Sequence, residues 1–170
     1  MTAGTEDSGE FTEAQRAELG IRSADQDRTL AAMHQLEAAL GAAASGRQGS
    51  WWQEVVAALA VLDAATTDEE ANAGRPDSLL SDIKRTQPRL RTRVRGVRAQ
   101  YAQLRRALEE LRDEFSDAPD QAPDVADVRQ RLAWLLTALR HQRARESDLI
   151  HEAYFDAFNA DLSQEATNPK

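Results

Sequence analysis

One stretch of the chain carries an unbroken heptad pattern of apolar residues. Between residues 90 and 115 the apolar side chains recur at alternating spacings of four and three positions: Leu90, Val94, Val97, Tyr101, Leu104, Leu108, Leu111 and Phe115. Such a pattern lays one apolar seam along an α-helix, and other helices must cover that seam. The pattern therefore predicts an all-α protein in which this long helix packs against several neighbours.

Capping signals divide the rest of the chain into further helices. They are Ser23 with Gln26, Ser50 with Gln53, Asp77 or Ser78, Pro88 at a first helical position, and Asp124 with Asp127. The predicted helices cover residues 23–44, 51–67, 78–86, 88–115 and 124–158. Four of them are long and have short connections. We therefore expect an antiparallel up-down-up-down four-helix bundle, with a short extra helix before the third long one.

The predicted bundle domain spans residues 23–160. The acidic residues 1–22 are expected to form a loose N-terminal arm, because Gly20 limits any helical turn that begins there. Residues 161–170 are expected to be a frayed C-terminal tail. The N-terminus resembles no secretory signal, and no apolar run is long enough to span a membrane. Cytoplasmic residence is the resulting expectation.

The composition excludes several classes of chemistry. The chain has no cysteine, so disulfides, zinc–thiolate sites, iron–sulfur clusters and thiol catalysis are excluded. No phosphate-binding loop, dinucleotide-binding glycine motif or HExxH motif is present. No serine or threonine is paired with a seam histidine as a nucleophile would need. We therefore predict no catalytic residues, and we expect that the protein is not an enzyme.

Charge is distributed unevenly along this acidic chain, whose net charge is -8. Residues 84–108 contain Lys84 and eight arginines, with no acidic residue among them. A basic helix between acidic flanks suggests nucleic-acid binding as one hypothesis. The competing interpretation is a solvated helix face whose arginines pair with acidic neighbours in the bundle. We favour the second interpretation, because an acidic chain repels phosphate backbones at long range.

Two carboxylates are predicted on inner helix faces. On helical wheels Glu37 falls between Met33 and Leu40, and Glu146 falls at the centre of the apolar face of the last helix. Burying an unpaired carboxylate is costly, so it is usually paired, protonated or bound to a metal. We predict a buried polar cluster, metal-free and neutralised by arginine, made of Glu37, Tyr101, Arg143 and Glu146.

Three segments resemble the hemerythrin-like family of helical bundles, of the HHE cation-binding type. They are LAAMHQLEAAL, SLLSDIKRTQPRLRTRV and LLTALRHQRARESDLIHEAY. The resemblance implies a four-helix bundle with an internal non-haem di-iron centre held by histidines and carboxylates. Members of the family bind or sense oxygen or related small molecules.

Most of the ligand positions that this resemblance implies are changed. His34 matches the histidine of the first helix, but Thr66 precedes Glu70 where a histidine is expected. Tyr101 stands where the third helix would supply a histidine. His141 has a suitable spacing to Glu146, yet the helical wheel turns it outward, and His151 is also expected to be exposed. The weak metal candidates are therefore His34, Glu37, Glu70 and Glu146.

These observations leave two main hypotheses open. The first is a degenerate hemerythrin-like bundle without a cofactor, which acts as a non-catalytic interaction or regulatory module. The alternative is a carboxylate-rich protein that binds iron or oxygen. A protein partner or a homodimer is also possible, because Trp51 and Trp134 project away from their predicted helix cores. Nucleic-acid binding through residues 88–115 is the weakest hypothesis.

Overall fold

A computed structural model describes residues 9–117 and 124–167 of the chain. Within these residues the protein is all-helical, as the sequence predicts, and no strand is present. The helices are α1 (Glu13–Gly41), α2 (Gln48–Ala73), α3 (Leu79–Thr86), α4 (Arg91–Ser116), α5 (Val125–Ala153) and α6 (Phe155–Thr167), with a 3₁₀ turn (Pro88–Leu90) before α4. No helix in the described ranges has both the length and the apolar character needed to cross a bilayer.

The first helix begins earlier than the sequence analysis predicts. The Thr12 hydroxyl accepts from the backbone N–H of Gln15 at 3.1 Å, and the Gln15 side chain accepts from the N–H of Thr12 at 2.9 Å. This reciprocal capping box starts α1, and the helix then runs through Gly20. The prediction of a loose arm is therefore wrong for the residues from Glu13 onward. Residues 1–8 of the predicted arm lie outside the described residues.

Two of the other predicted helix starts are confirmed, and one is wrong. Ser78 caps α3, and the Asp124 carboxylate caps α5 by accepting from two backbone N–H groups. The second predicted capping box does not form. Instead α2 begins at Gln48, and the Ser50 hydroxyl donates to the carbonyl of Arg47.

The last long helix is interrupted at Tyr154, where the sequence predicts a continuous helix over 124–158. The Gln87 side chain donates to the carbonyl of Ala153 at 2.5 Å, and the Tyr154 hydroxyl donates to Asp82 at 2.6 Å. The first bond satisfies the Ala153 carbonyl at the end of α5, and the second holds the Tyr154 side chain against α3. The new helix α6 covers most of the predicted frayed tail, which is therefore wrong up to Thr167; residues 168–170 lie outside the described residues.

The two ends of the described chain lie side by side. The guanidinium of Arg16 pairs with Asp161 at 2.9 Å, and the Gln164 side chain donates to Glu10 at 3.2 Å. The Phe11 ring packs edge-on against Phe158 with 4.9 Å between the ring centroids. The start of α1 and the whole of α6 therefore close the same end of the molecule.

Side-chain contacts join the long helices in sequence. Between α1 and α2, the Asn72 amide donates to Asp25 at 2.8 Å. Between α2 and α4, Arg105 binds Asp63 at 2.5 Å. Between α4 and α5, Arg131 binds Glu114 at 2.6 Å. Arg129 at the start of α5 donates to the carbonyls of Leu40 and Ala42 at the end of α1.

The interior contains two apolar clusters. All eight residues of the seam between 90 and 115 are buried, as predicted. The larger cluster includes the fully buried side chains Met33, Leu36, Trp51, Val55, Leu59, Leu62, Leu132 and Leu135. The smaller cluster surrounds α3 and includes Leu79, Leu80, Ile83, Val94, Leu149 and Ile150. Buried polar residues lie between the two clusters.

Candidate functional site

A layer of buried polar side chains separates the two apolar clusters. Each long helix contributes to it where the apolar residues on its inner face pass from one cluster to the other. We call this set the polar layer; its members are Thr29 of α1, Thr66 and Glu69 of α2, Tyr101 of α4, and Gln142 and Glu146 of α5. All six are at most 7% exposed. Because buried polar groups are costly unless they are paired, their partners decide what the layer can do.

Two carboxylates of the polar layer share one phenolic hydroxyl. The Tyr101 oxygen lies 2.9 Å from Oε2 of Glu146 and 3.1 Å from Oε1 of Glu69. The other oxygen of Glu69 accepts a hydrogen bond of 2.5 Å from the Thr29 hydroxyl. Each of the four long helices therefore contributes one residue to this chain of hydrogen bonds.

The number of hydrogens at this point favours a protonated carboxyl group. A phenol has one O–H hydrogen, so Tyr101 can donate to only one of its two carboxylate neighbours. Burial raises the pKa of Glu146, and the nearby charges of Arg22 and Arg143 oppose that effect without cancelling it. A neutral Glu146 can donate to Tyr101 while Tyr101 donates to Glu69. Burial and the two carboxylates also raise the pKa of Tyr101, which keeps its proton.

One cation approaches the shared hydroxyl from α1. Nε of Arg22 lies 3.7 Å from Oε1 of Glu146, and this nitrogen is buried without a hydrogen-bond partner in the described structure. The terminal nitrogen of Arg22 instead donates to the Ser147 hydroxyl at 3.0 Å. Beside these groups is a cavity of about 30 Å³, bordered also by Glu69 and Tyr101. A cavity of this size accommodates water rather than an organic substrate.

The predicted polar cluster is correct in part. The structure brings Tyr101 and Glu146 together, but it does not bring Glu37 to them. The prediction of a buried Glu37 is wrong, because its side chain is 37% exposed and pairs with Arg140 at the surface. Arg143 is half-buried and donates to the carbonyl of Gln26 at 2.8 Å, so it contributes its charge but no direct bond to Glu146.

Sequence reasoning missed Glu69 and Thr29. Glu69 continues the spacing of Leu59, Leu62 and Thr66 along the inner face of α2, so the periodicity contained the signal. Its neighbour Glu70 was predicted instead, because it suited the family spacing. Glu70 is 38% exposed and lies 3.4 Å from Nε of Arg105.

The donor set does not fit the di-iron centre that the family resemblance implies. His34, His141 and His151 are all exposed, the last two as predicted. Non-haem iron sites of this kind need imidazole ligands. Among residues 9–117 and 124–167, no three His, Cys, Asp or Glu side chains converge on one point that could hold a metal. The two buried glutamates converge on the Tyr101 hydroxyl instead.

Only some arginines of the basic segment, residues 84–108, form ion pairs with acidic side chains. Asp63 binds Arg105 at 2.5 Å and Arg112 at 2.6 Å. Burial alone would raise the pKa of Asp63, but the hydrogen bonds from these arginines lower it. Arg93 is exposed and shares Glu152 with Arg89.

The remaining side of the basic segment faces solvent. Within residues 84–108, the exposed arginines that form no ion pair are Arg91, Arg95 and Arg106. Arg98 is half-buried and donates to the Ser81 hydroxyl at 2.7 Å. Of the two tryptophans predicted to project outward, Trp134 is 59% exposed, whereas Trp51 is fully buried. The prediction for Trp51 is therefore wrong.

Comparisons of the chain with models of protein families, with curated proteins and with solved structures found no match.

Proposed function

We propose that this chain is a degenerate hemerythrin-like four-helix bundle, up-down-up-down in order, that has lost its di-iron site. On this proposal it acts in the cytoplasm as an interaction or regulatory module and catalyses no reaction. The observation that carries the proposal is the shared hydroxyl of Tyr101, which joins Glu69 and Glu146 where a metal would otherwise neutralise them.

The contacts between helices support the architecture in this proposal. From Asp63 to Glu69 the contacts of α2 move from Arg105 back to Tyr101, so these two helices run in opposite directions. Arg131 joins the start of α5 to Glu114 near the end of α4, as an up-down order requires. The contact of Arg129 with the end of α1 brings the first and last long helices together. Metal and cofactor sites of four-helix bundles are built in the core from side chains of facing helices, and the polar layer has such a position.

The proton balance supports a metal-free interior. A protonated Glu146 and a hydrogen-bonded Glu69 leave one buried negative charge, with Arg22 close by. Hydrogen bonds and one proton thus stabilise the buried carboxylates, as a bound cation does in a metalloprotein. The adjoining cavity of about 30 Å³ leaves little room for a substrate at this point.

Elemental analysis tests the proposal directly. The chain is expressed with added iron, manganese and zinc, purified, and analysed for each metal. We expect far less than one metal ion per chain and an unchanged melting temperature after treatment with a chelator.

Stoichiometric metal that is lost in Glu69→Gln and Glu146→Gln, but retained in the surface variant Glu37→Gln, would overturn the proposal. The convergence of the two buried glutamates favours the alternative of a carboxylate-rich iron- or oxygen-binding protein. That alternative predicts an oxo-iron absorption band after iron loading, which Glu146→Ala abolishes. Absence of the band supports the metal-free proposal.

A further inference from the structure

The outer face of α4 changes the sign of its charge along its length. Opposite the buried seam, the exposed positions are basic toward the start of the helix and acidic toward its end. We call this set the charged stripe; its members are Arg91, Arg95, Arg106, Glu109, Asp113 and Asp117. Their spacings of three, four and eleven positions are close to whole helical turns, which keeps them on one side of the helix.

Little of the charged stripe is neutralised within the chain. Arg95 and Arg106 have no hydrogen-bond or ion-pair partner among the described residues, and Arg91 donates only to the carbonyl of Lys84. Glu109 and Asp113 each bind a neighbouring arginine of α4, yet their side chains stay 51% and 66% exposed. Exposed pairs of this kind are weak, so both carboxylates remain available to a partner.

The two halves of the charged stripe are complementary to each other. Arg95 and Asp113 lie nine positions before and after Leu104, and Arg91 and Asp117 lie thirteen positions before and after it. A twofold axis near Leu104 would therefore bring each arginine opposite an aspartate of a second copy. In such an interface every contact occurs twice, which is the signature of a C2 dimer.

We propose that two copies of this chain associate antiparallel through the charged stripes of their α4 helices. The inference deepens the proposed function, on which it rests, by naming a second copy as the partner of the interaction module. Near the axis the exposed residues Ala99 and Ala102 are small, so the two helix backbones can approach closely. Trp134 adds apolar surface on one flank, because its spacing from Arg131 places it on the side of α5 that faces α4.

The same pattern disfavours other anionic partners. A nucleic acid or a uniformly acidic peptide that lay along the basic half of the charged stripe would meet the acidic half further along. In the antiparallel orientation Arg91 and Arg95 of one copy lie opposite Asp117 and Asp113 of the other. In the parallel orientation the same residues meet like charges.

Charge reversal tests the proposal on the full chain, by sedimentation velocity over a range of protein concentrations. We expect a dimer in about 20 mM salt that dissociates in about 500 mM salt, because added salt screens exposed charges. Arg95→Glu and Asp113→Arg should each raise the dissociation constant at least about tenfold. The double variant with both changes should regain the wild-type value, because each reversed pair becomes attractive again.

Matched controls separate position from net charge. Arg47→Glu and Asp27→Arg make the same charge changes at exposed positions outside α4 and should leave the dissociation constant unchanged. The proposal is overturned by a wild-type monomer at low salt, by controls that act as strongly as the stripe variants, or by a double variant that is weaker than either single one. A monomeric chain that is retained on duplex DNA at low salt would also overturn it and would identify a different partner.

The outcome is distinguishable from that of the proposed function. Stoichiometric metal would overturn the proposed function, yet it would leave the rescue pattern of the double variant intact. A metal-free chain that stays monomeric would overturn only the dimer.

Discussion

The larger apolar cluster and the polar layer stabilise the same bundle in different ways. Around Leu59 and Leu135 the helices meet through buried side chains whose contribution scales with area and tolerates small changes of position. Around Tyr101 they meet through hydrogen bonds of 2.5–3.1 Å, which are satisfied in one arrangement only. The comparison indicates that the apolar cluster supplies most of the stability, whereas the polar layer selects the register of the helices.

The largest effect should come from a cavity in the apolar cluster. Leu59 is 1% exposed, and Leu59→Ala removes buried contacts and leaves a void. We expect a loss of about 2–5 kcal/mol in the free energy of unfolding, measured by chemical denaturation. A loss below that of the Tyr101 variant would reverse the proposed division between the two regions.

A smaller loss should follow Tyr101→Phe, which keeps the ring and removes only the hydroxyl. The hydroxyl that bonds to both Glu69 and Glu146 is then absent, so one buried carboxyl group lacks its hydrogen-bond partner. We expect a loss of about 1–3 kcal/mol in unfolding free energy. Full stability in the phenylalanine variant would show that the shared hydroxyl contributes nothing.

A still smaller, pH-dependent effect should follow Glu146→Gln, which resembles the neutral carboxyl group. Burial raises the pKa of Glu146 in the folded state, so its proton stabilises the fold fully below the unfolded pKa of about 4.5. This stabilisation is lost as the pH rises through the folded pKa. The glutamine variant should lie within about 1 kcal/mol of wild type at neutral pH.

Denaturation at a series of pH values measures this effect. The difference in unfolding free energy between the two proteins should shift in favour of glutamine as the pH rises above about 4.5. A constant difference across that range would mean that Glu146 does not bind the proton of the polar layer.

The smallest effect should come from a change of Glu37, which the sequence predicts to be buried and which lies at the surface in the structure. Glu37 is more than a third exposed and pairs with Arg140 in solvent. Glu37→Ala should change the unfolding free energy by no more than about 0.5 kcal/mol. A change as large as that of Tyr101→Phe would make the surface pair equivalent to the polar layer, contrary to the comparison.

The sequence predicts the fold best where its apolar pattern is regular. Every seam residue of α4 is buried, and the caps at Ser78 and Asp124 are found where their side chains suggest. The helix α1 is different, because it is rich in alanine and has Asp25 and Thr29 on its buried face. The helical wheel therefore places Glu37 on the inner face between Met33 and Leu40, whereas the true inner face is rotated away from Glu37.

The candidate site was predictable where a polar residue interrupted a strong seam. Tyr101 and Glu146 were found because apolar neighbours define their faces. The family spacing predicts Glu70 rather than Glu69, and the two residues differ by one position and about 100° around the helix. The break at Tyr154 could not be predicted from the neighbouring sequence. Its hydrogen-bond partners, Gln87 and Asp82, lie far away along the chain.

Because α6 lies beside the start of α1, the chain is suited to circular permutation. Because Arg16 pairs with Asp161 and Gln164 reaches Glu10, a short peptide could join the two ends into a closed ring. New termini could then be opened in the connection between Gly41 and Gln48, far from the polar layer. The order in which the helices are synthesised is thus separable from the way they pack.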